Sequence, residues 1–262
     1  MKTLNKKFLI KHLFGLTMIF AMSSTVVHAE WNKTTASGMR DVSIAPDGKP
    51  WLVGQNGTIW YGSWQAGNLG FTQIPASNFS RIAVAPNNVV WAVGYNGTVW
   101  KYEGGVWSMA PLAGVTSDGL NGMVDVDVDP DGTIWFVRST FCSPAYITCS
   151  SSAKGSIWYS NDQGNHVTRV TSSGFCRISS GYKSTVGVWA VGCNGTVWKY
   201  LAGSWTQTLA SGMSDVAAHG LQDRIDLTGL ASLNGPIWST YDGVNFDPNV
   251  ARGFGSIANY VG

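Results

Sequence analysis

The sequence predicts an all-β fold: a β-propeller of four-stranded blades with five full repeats and a partial sixth, hence five- or six-bladed. Three observations lead there. A hairpin, WAVGYNGTVWKY at residues 91–102, recurs as WLVGQNGTIWY at 51–61 and as WAVGCNGTVWKY at 189–200. Its centre is Asn-Gly, the pair that best tolerates the two positive φ angles of a type I′ turn, with alternating apolar residues on either side. The second observation is spacing: Trp60, Trp100, Trp158, Trp198 and Trp238 follow one another by 40, 58, 40 and 40 residues. Short strands repeated at about that period, with aromatics at fixed places, mark propeller blades. The third is composition. The chain holds 13 Trp and 32 Gly but only 12% charged residues, and its glutamates are Glu30 and Glu103 alone. Short strands joined by glycine turns fit that balance better than helices do.

Taken in order, residues 1–29 read as a secretory signal peptide. Lys2, Lys6, Lys7 and Lys11 precede a mostly apolar run from Leu13 to Met22, and Val27-His28-Ala29 offers a small-residue cleavage site. The run is shorter than the roughly 20 residues that span a bilayer. No later stretch predicts a membrane span. Residues 30–262 then form a single propeller domain, secreted or periplasmic. Loss of the four lysines lowers Lys+Arg from 17 to 13, below the 15 Asp+Glu. The overall basicity therefore belongs to the leader, and no basic footprint for nucleic acid remains.

Each blade reads as four strands, A to D. The A strands and their turns are DVSIAPDG from Asp41, RIAVAPNN from Arg81, DVDVDPDG from Asp125, RISSGYKS from Arg177 and, more loosely, DVAAHG from Asp215. The hairpin supplies B and C. The D strands start at Phe71, Trp107, Val167, Trp205 and Phe246. The segment EWNKTTASG from Glu30 looks like a D strand without its blade, and GSIANY from Gly255 like an isolated A strand. Two stretches break the period. Blade 3 carries an insertion, RSTFCSPAYITCSSSAKG, and blade 5 has a loose A–B connection near His219 and lacks the B-strand Trp.

Antiparallel strands put the B–C turns and D-to-A links on one rim, and the A–B and C–D turns on the other. Four cysteines in an exported chain favour disulfides, with three possible pairings. Cys176 lies in a D-to-A link and Cys193 in a B–C turn of the same blade, which favours Cys176–Cys193 and leaves Cys142–Cys149 inside the insertion.

Most tryptophans occupy repeat positions and serve packing between blades. Trp64 is the exception, in a C–D turn where exposure is expected. Asp127, Asp129 and Asp131 resemble the start of a calcium loop, but Asp131-Gly132 aligns with the plain turn Asp47-Gly48, and Arg138 stands where such a loop ends in an acid. A turn is expected there, and no metal or cofactor. Ser160, Asp162 and Gly164 match an Asp-box turn, which is structural. With His166 and His219 the only histidines after the leader, and no nucleophile or phosphate-loop motif, the sequence predicts no enzymatic activity.

The strand of the DVSIAPDG type, the W-x-V-G hairpin with NGT[IV]W and the following G-x-W strand together resemble the tectonin family of β-propeller lectins. The resemblance covers about residues 31–260 and is cleanest in blades 1, 2 and 4. It implies binding of glycans, including lipopolysaccharide sugars, on the B–C rim. Asn56, Tyr95, Asn96 and Asn194 are the expected ligand contacts, with Trp64 as an exposed aromatic and Phe141 and Tyr146 contributing from the insertion. Where the hairpin copies differ, at Gln55, Tyr95 and Cys193, function is expected to reside. The alternative is a protein-interaction scaffold, periplasmic or on the cell surface, using the same rim.

Overall fold

The computed structural model describes residues 37–65, 68–115, 122–139, 155–171, 174–181, 187–218, 224–229, 236–240, 245 and 247–252. The chain divides into two compact units, 1–32 and 33–262, and every described residue belongs to the second. The predicted leader, the two predicted end strands and most of the blade 3 insertion, with Phe141, Cys142, Tyr146 and Cys149, lie outside the described residues. Among the described residues no helix is long and apolar enough to cross a membrane.

Among the described residues twenty strands form five four-stranded antiparallel sheets, each a meander in chain order, arranged as a five-bladed propeller. Blade 1 is β1 (Met39–Ile44), β2 (Pro50–Gly54), β3 (Ile59–Gln65) and β4 (Asn68–Ile74). Blade 2 is β5 (Phe79–Val84), β6 (Val90–Gly94), β7 (Val99–Glu103) and β8 (Val106–Met109). Blade 3 is β9 (Met123–Val128), β10 (Ile134–Ser139), β11 (Gly155–Ser160) and β12 (Thr168–Thr171). Blade 4 is β13 (Phe175–Ser180), β14 (Val188–Gly192), β15 (Val197–Leu201) and β16 (Ser204–Gln207). Blade 5 is β17 (Met213–Ala218), β18 (Ile225–Gly229), β19 (Pro236–Thr240) and β20 (Asp247–Arg252). The predicted strands A to D are these strands in order.

The core lies between blades. One apolar cluster joins blades 1 and 2 through Val53, Ile59, Phe79 and Val90. Others join blades 2 and 3 (Trp91, Val93, Met123, Phe136), 3 and 4 (Val137, Ile157, Phe175, Ile178), and 4 and 5 (Trp189, Val197, Met213, Leu227). B-strand tryptophans fill the wedges: Trp91 and Trp189 are almost fully buried. Packing is therefore their role, as their repeat positions imply. In blade 5 the same place holds Asp226, bonded to Arg224 and Ser239, so a polar cluster replaces the indole.

The innermost strands are edge strands, and a side chain of one blade satisfies the exposed backbone N–H groups of the next. Ile82 N–H donates to Asp41 Oδ2 (2.8 Å) and Val84 N–H to Ser43 Oγ (3.0 Å). Ile178 N–H donates to Asp125 Oδ2 (3.0 Å), Ser180 N–H to Asp127 Oδ2 (2.7 Å) and Ala218 N–H to Ser179 Oγ (3.0 Å). A β-bulge recurs where each innermost strand meets its B strand, skipping Arg40, Ser80, Val124, Cys176 and Ser214 in turn. A bulge re-aims one side chain. Here it sets a residue that differs in nearly every blade beside the B–C turn.

Candidate functional site

The described residues form a concavity on the axis and another on the rim. The axial one is lined by residues of all five innermost strands, among them Asp41, Arg81, Asp125, Ile178 and Asp215. Acidic and basic residues alternate along the blades as Asp41, Arg81, Asp125, Arg177 and Asp215. The Arg81 guanidinium reaches Asp41 at 3.4 Å and Asp125 at 3.6 Å, and Arg177 reaches Asp215 at 3.9 Å. Burial pushes the Asp125 carboxyl up to about 7, against the pull of Arg81 and Arg177. The free volume is about 30 Å³, room for one water. No sugar enters this channel; its charges bind blades to one another.

The rim pocket has about 530 Å³ and sits on blade 2. Its floor is aromatic. Phe79 stacks on Trp107 with ring centroids 4.9 Å apart and meets Trp100 edge-on at 6.5 Å. Tyr102 lies behind Trp107 at 5.0 Å. One wall is the D-to-A link Pro75, Ala76, Ser77 and Asn78; the other is the B–C turn with Tyr95, Asn96 and Thr98. Asn78 has φ 71°, and its carbonyl accepts Tyr95 N–H at 2.8 Å, so the two walls are hydrogen-bonded together. No charged side chain lines the pocket.

The NGT triplet builds the turn through a relay. Trp100 Nε1–H donates to Thr98 Oγ1 (2.9 Å), and Thr98 Oγ1–H donates to Asn96 Oδ1 (2.6 Å). The same relay joins Trp60, Thr58 and Asn56 at 2.8 and 2.7 Å, and Trp198, Thr196 and Asn194 at 3.0 and 2.7 Å. The side-chain carbonyls of Asn56, Asn96 and Asn194 are thus held by the fold, which leaves their Nδ2 groups for any ligand. The threonines were the residues sequence reasoning passed over. Their constant place after Asn-Gly, two positions before Trp, was the available signal.

Tyr95 spans two blades. Its hydroxyl donates to the Gln55 carbonyl of blade 1 (2.9 Å), and the guanidinium of Arg40, that blade's bulge residue, lies 5.2 Å from its ring centre. In blade 4 the equivalent residues, Cys176 at the bulge and Cys193 in the turn, form the expected disulfide. Trp64 is 64% exposed as expected, but it lies within strand β3, paired with Leu69 of β4, and not in the C–D turn; that end of the strand belongs to the opposite rim, apart from Tyr95 and Asn96.

The acidic run of blade 3 is a turn. Gly132 N–H donates to the Asp129 carbonyl and Thr133 N–H to Asp131 Oδ1, both at 2.8 Å, while Asp129 Oδ2 accepts Trp135 Nε1–H at 2.7 Å. Asp127 turns instead to Ser179 and Ser180 of blade 4. Burial pushes Asp129 up to about 7. Among the described residues no group of three His, Cys, Asp or Glu gathers as a metal site. In the Asp-box turn, Ser160 Oγ accepts Gly164 N–H (2.9 Å), and the His166 backbone and ring hold the Asp162 carboxyl down at about 2. This turn ties blade 3 to blade 2: Ala113 N–H donates to the Asn165 carbonyl and Val167 N–H to the Ala113 carbonyl, both at 2.8 Å.

Fold and site together define a β-propeller with an uncharged aromatic pocket on one rim. No protein-family model matches the sequence, and no curated protein matches it. Among solved structures, the GH74 enzyme of Niastella koreensis is similar at TM-score 0.55 and 19% identity, covering 80% of this chain. The match takes in 38% of that enzyme, so this chain spans well under half its length. A gluconolactonase from Xanthomonas campestris is similar at TM-score 0.54 and 13% identity, covering 80% of this chain and 74% of the other. At such identities the likeness establishes the propeller and not the chemistry. It does overturn one expectation. The sequence predicted no enzymatic activity, yet the propellers this chain resembles are enzymes, so the scarcity of Glu and His excludes no catalysis on this fold.

Proposed function

We propose that the protein binds neutral glycans in the blade 2 rim pocket. One observation carries the reading: a pocket of about 530 Å³ with an aromatic floor, amide and hydroxyl walls and no ionised lining residue. Sugar C–H faces pack on aromatic rings, and a few convergent polar groups fix orientation. A phosphate or carboxylate finds no cation among the lining residues. Lipopolysaccharide is accordingly recognised through its uncharged sugars. The resemblance to tectonin-type lectins points the same way, and so do the names of the similar propellers, a GH74 enzyme and a gluconolactonase. Hydrolysis by a carboxylate pair has no acid among the residues lining this pocket.

The test is a glycan array on the chain without its leader, followed by calorimetry on the Tyr95→Ala variant. Neutral glycans should bind with Kd on the order of 1 mM per site, about −4 kcal/mol. Loss of the Tyr95 ring should weaken binding at least fivefold, with anionic glycans no better than their neutral counterparts. An array without neutral hits would refute the reading.

A further inference from the structure

The blades alternate. Innermost strands begin with Met39, Met123 and Met213 in blades 1, 3 and 5, but with Phe79 and Phe175 in blades 2 and 4. The D-strand position holds Trp107 and Trp205 in the even blades, against Phe71 and Val167 in blades 1 and 3. Behind that Trp stands Tyr102 or Tyr200 in the even blades, against Gly62, Ser160 and Thr240 in the odd ones. The Phe–Trp–Tyr ring set of the rim pocket therefore belongs to the even blades, while the Asn-Thr-Trp relay is shared with blade 1.

Blade 4 reproduces the frame of the blade 2 pocket. Phe175 lies 5.1 Å from Trp205 and 6.0 Å from Trp198, and Tyr200 is 5.1 Å from Trp205. The Asn194–Thr196–Trp198 relay matches Asn96–Thr98–Trp100. A further likeness is independent of ring packing. Trp107 and Trp205 each carry a buried indole Nε1–H with no acceptor among the described residues. Trp60, Trp100, Trp135, Trp158 and Trp198 each have one. A buried donor without an acceptor is costly and calls for an explanation. Here the same one recurs at the same place in both even blades.

Resting on the proposed function, we infer that blade 4 holds a second site for the same class of ligand, a neutral sugar, and that sites occur on alternate blades. The two mouths differ. Tyr95 borders the first site, whereas the second has Cys193, bridged to Cys176, in its place. The blade 4 site lacks a tyrosine ring and binds the same sugar more weakly. Two sites on one face also let a branched or repeating glycan engage both at once, raising avidity without new contacts.

The experiment is ¹⁹F NMR on protein labelled with 5-fluorotryptophan, the Trp107 and Trp205 resonances being assigned from Trp107→Phe and Trp205→Phe. The protein is titrated in turn with the methyl glycosides of glucose, galactose, mannose and N-acetylglucosamine. Both resonances should move with the same glycoside, Trp205 saturating at the higher concentration. Movement of Trp107 alone overturns the second site and leaves the proposed function standing. Movement of Trp205 alone, or of neither, overturns the blade 2 assignment and the two-site inference with it.

Discussion

At the scale of single residues, the aspartates of blade 3 look alike in sequence and behave differently in place. Asp131 is an exposed turn former, whereas Asp129 lies under the sheet with its carboxyl on the Trp135 indole. Burial, added to repulsion from Asp127 and Asp131, raises Asp129 to about 7, while its unfolded value is about 3.9. The folded chain then holds the proton more tightly than the unfolded one. Stability from this group is fully present below about pH 4 and is lost as pH rises through about 7. Asp129→Asn keeps an oxygen for the indole and removes the charge. Against that variant, wild-type Tm should fall by roughly 5 °C or more between pH 5 and pH 8. Asp125 has the same tendency but is present in both proteins, so the comparison isolates Asp129. A Tm difference constant with pH, measured by calorimetry, would show that the carboxyl ionises freely.

At the scale of elements, the hairpins were legible because their signal is local: Asn-Gly sets the turn, and alternation sets the faces. The Cys176–Cys193 bridge was legible too, since topology puts a D-to-A link beside its own B–C turn. Less legible were features that need a neighbouring blade. Asp41, Arg81, Asp125, Arg177 and Asp215 opened the strands in the alignment, but only the ring shows them pairing across blades. The rim pocket likewise joins Asn78 and Trp107 to a turn at neither one's own place in the chain, the B–C turn at Tyr95, Asn96 and Thr98. Two glycines show the limit of reading turns alone. Gly48 and Gly97 share φ near +78°, but a Cβ on Gly48 meets nothing within 4 Å, whereas on Gly97 it comes 2.3 Å from the Gly122 Cα of blade 3. Gly48→Ala should cost about 1–2 kcal/mol from backbone strain alone. Gly97→Ala should cost clearly more in urea unfolding, and equal losses would mean that the blade 2–blade 3 contact yields freely. The disulfide closes a loop with sequence separation 17, so the double change Cys176→Ser, Cys193→Ser should remove roughly 3 kcal/mol. Blade 2, with Ser80 and Tyr95 at those positions, keeps the same bulge without a bridge; the double variant should therefore still fold, with the near-ultraviolet dichroism of the wild type.

At the scale of the whole molecule, apolar wedges join blades in pairs, but only the axis brings all five innermost strands to one place. Arg81 stands at its centre of charge, between Asp41 of blade 1 and Asp125 of blade 3, and all three side chains are about nine-tenths buried or more. A buried ion pair adds little over a well-packed apolar substitute, yet removing one partner strands the other, at about 3–5 kcal/mol. Arg81→Met keeps the length of the side chain and leaves two buried carboxylates without their shared cation. Burial already raises both Asp41 and Asp125, and the loss of Arg81 removes an interaction that lowers each. The two acids in the variant are therefore neutral over a wider pH range, and forcing them to ionise is what destabilises it. The loss of stability on Arg81→Met should be about 3–5 kcal/mol at pH 8 and distinctly smaller at pH 4.5, since acidification favours the neutral form of both acids, the form that burial favours. Salt should change neither figure much, because screening acts on exposed charges. Urea unfolding at the two pH values, with and without 0.5 M NaCl as the added salt, reads all of this. A loss equal at both pH values would assign Arg81 to packing and leave the propeller held together by its apolar wedges and backbone ladder alone.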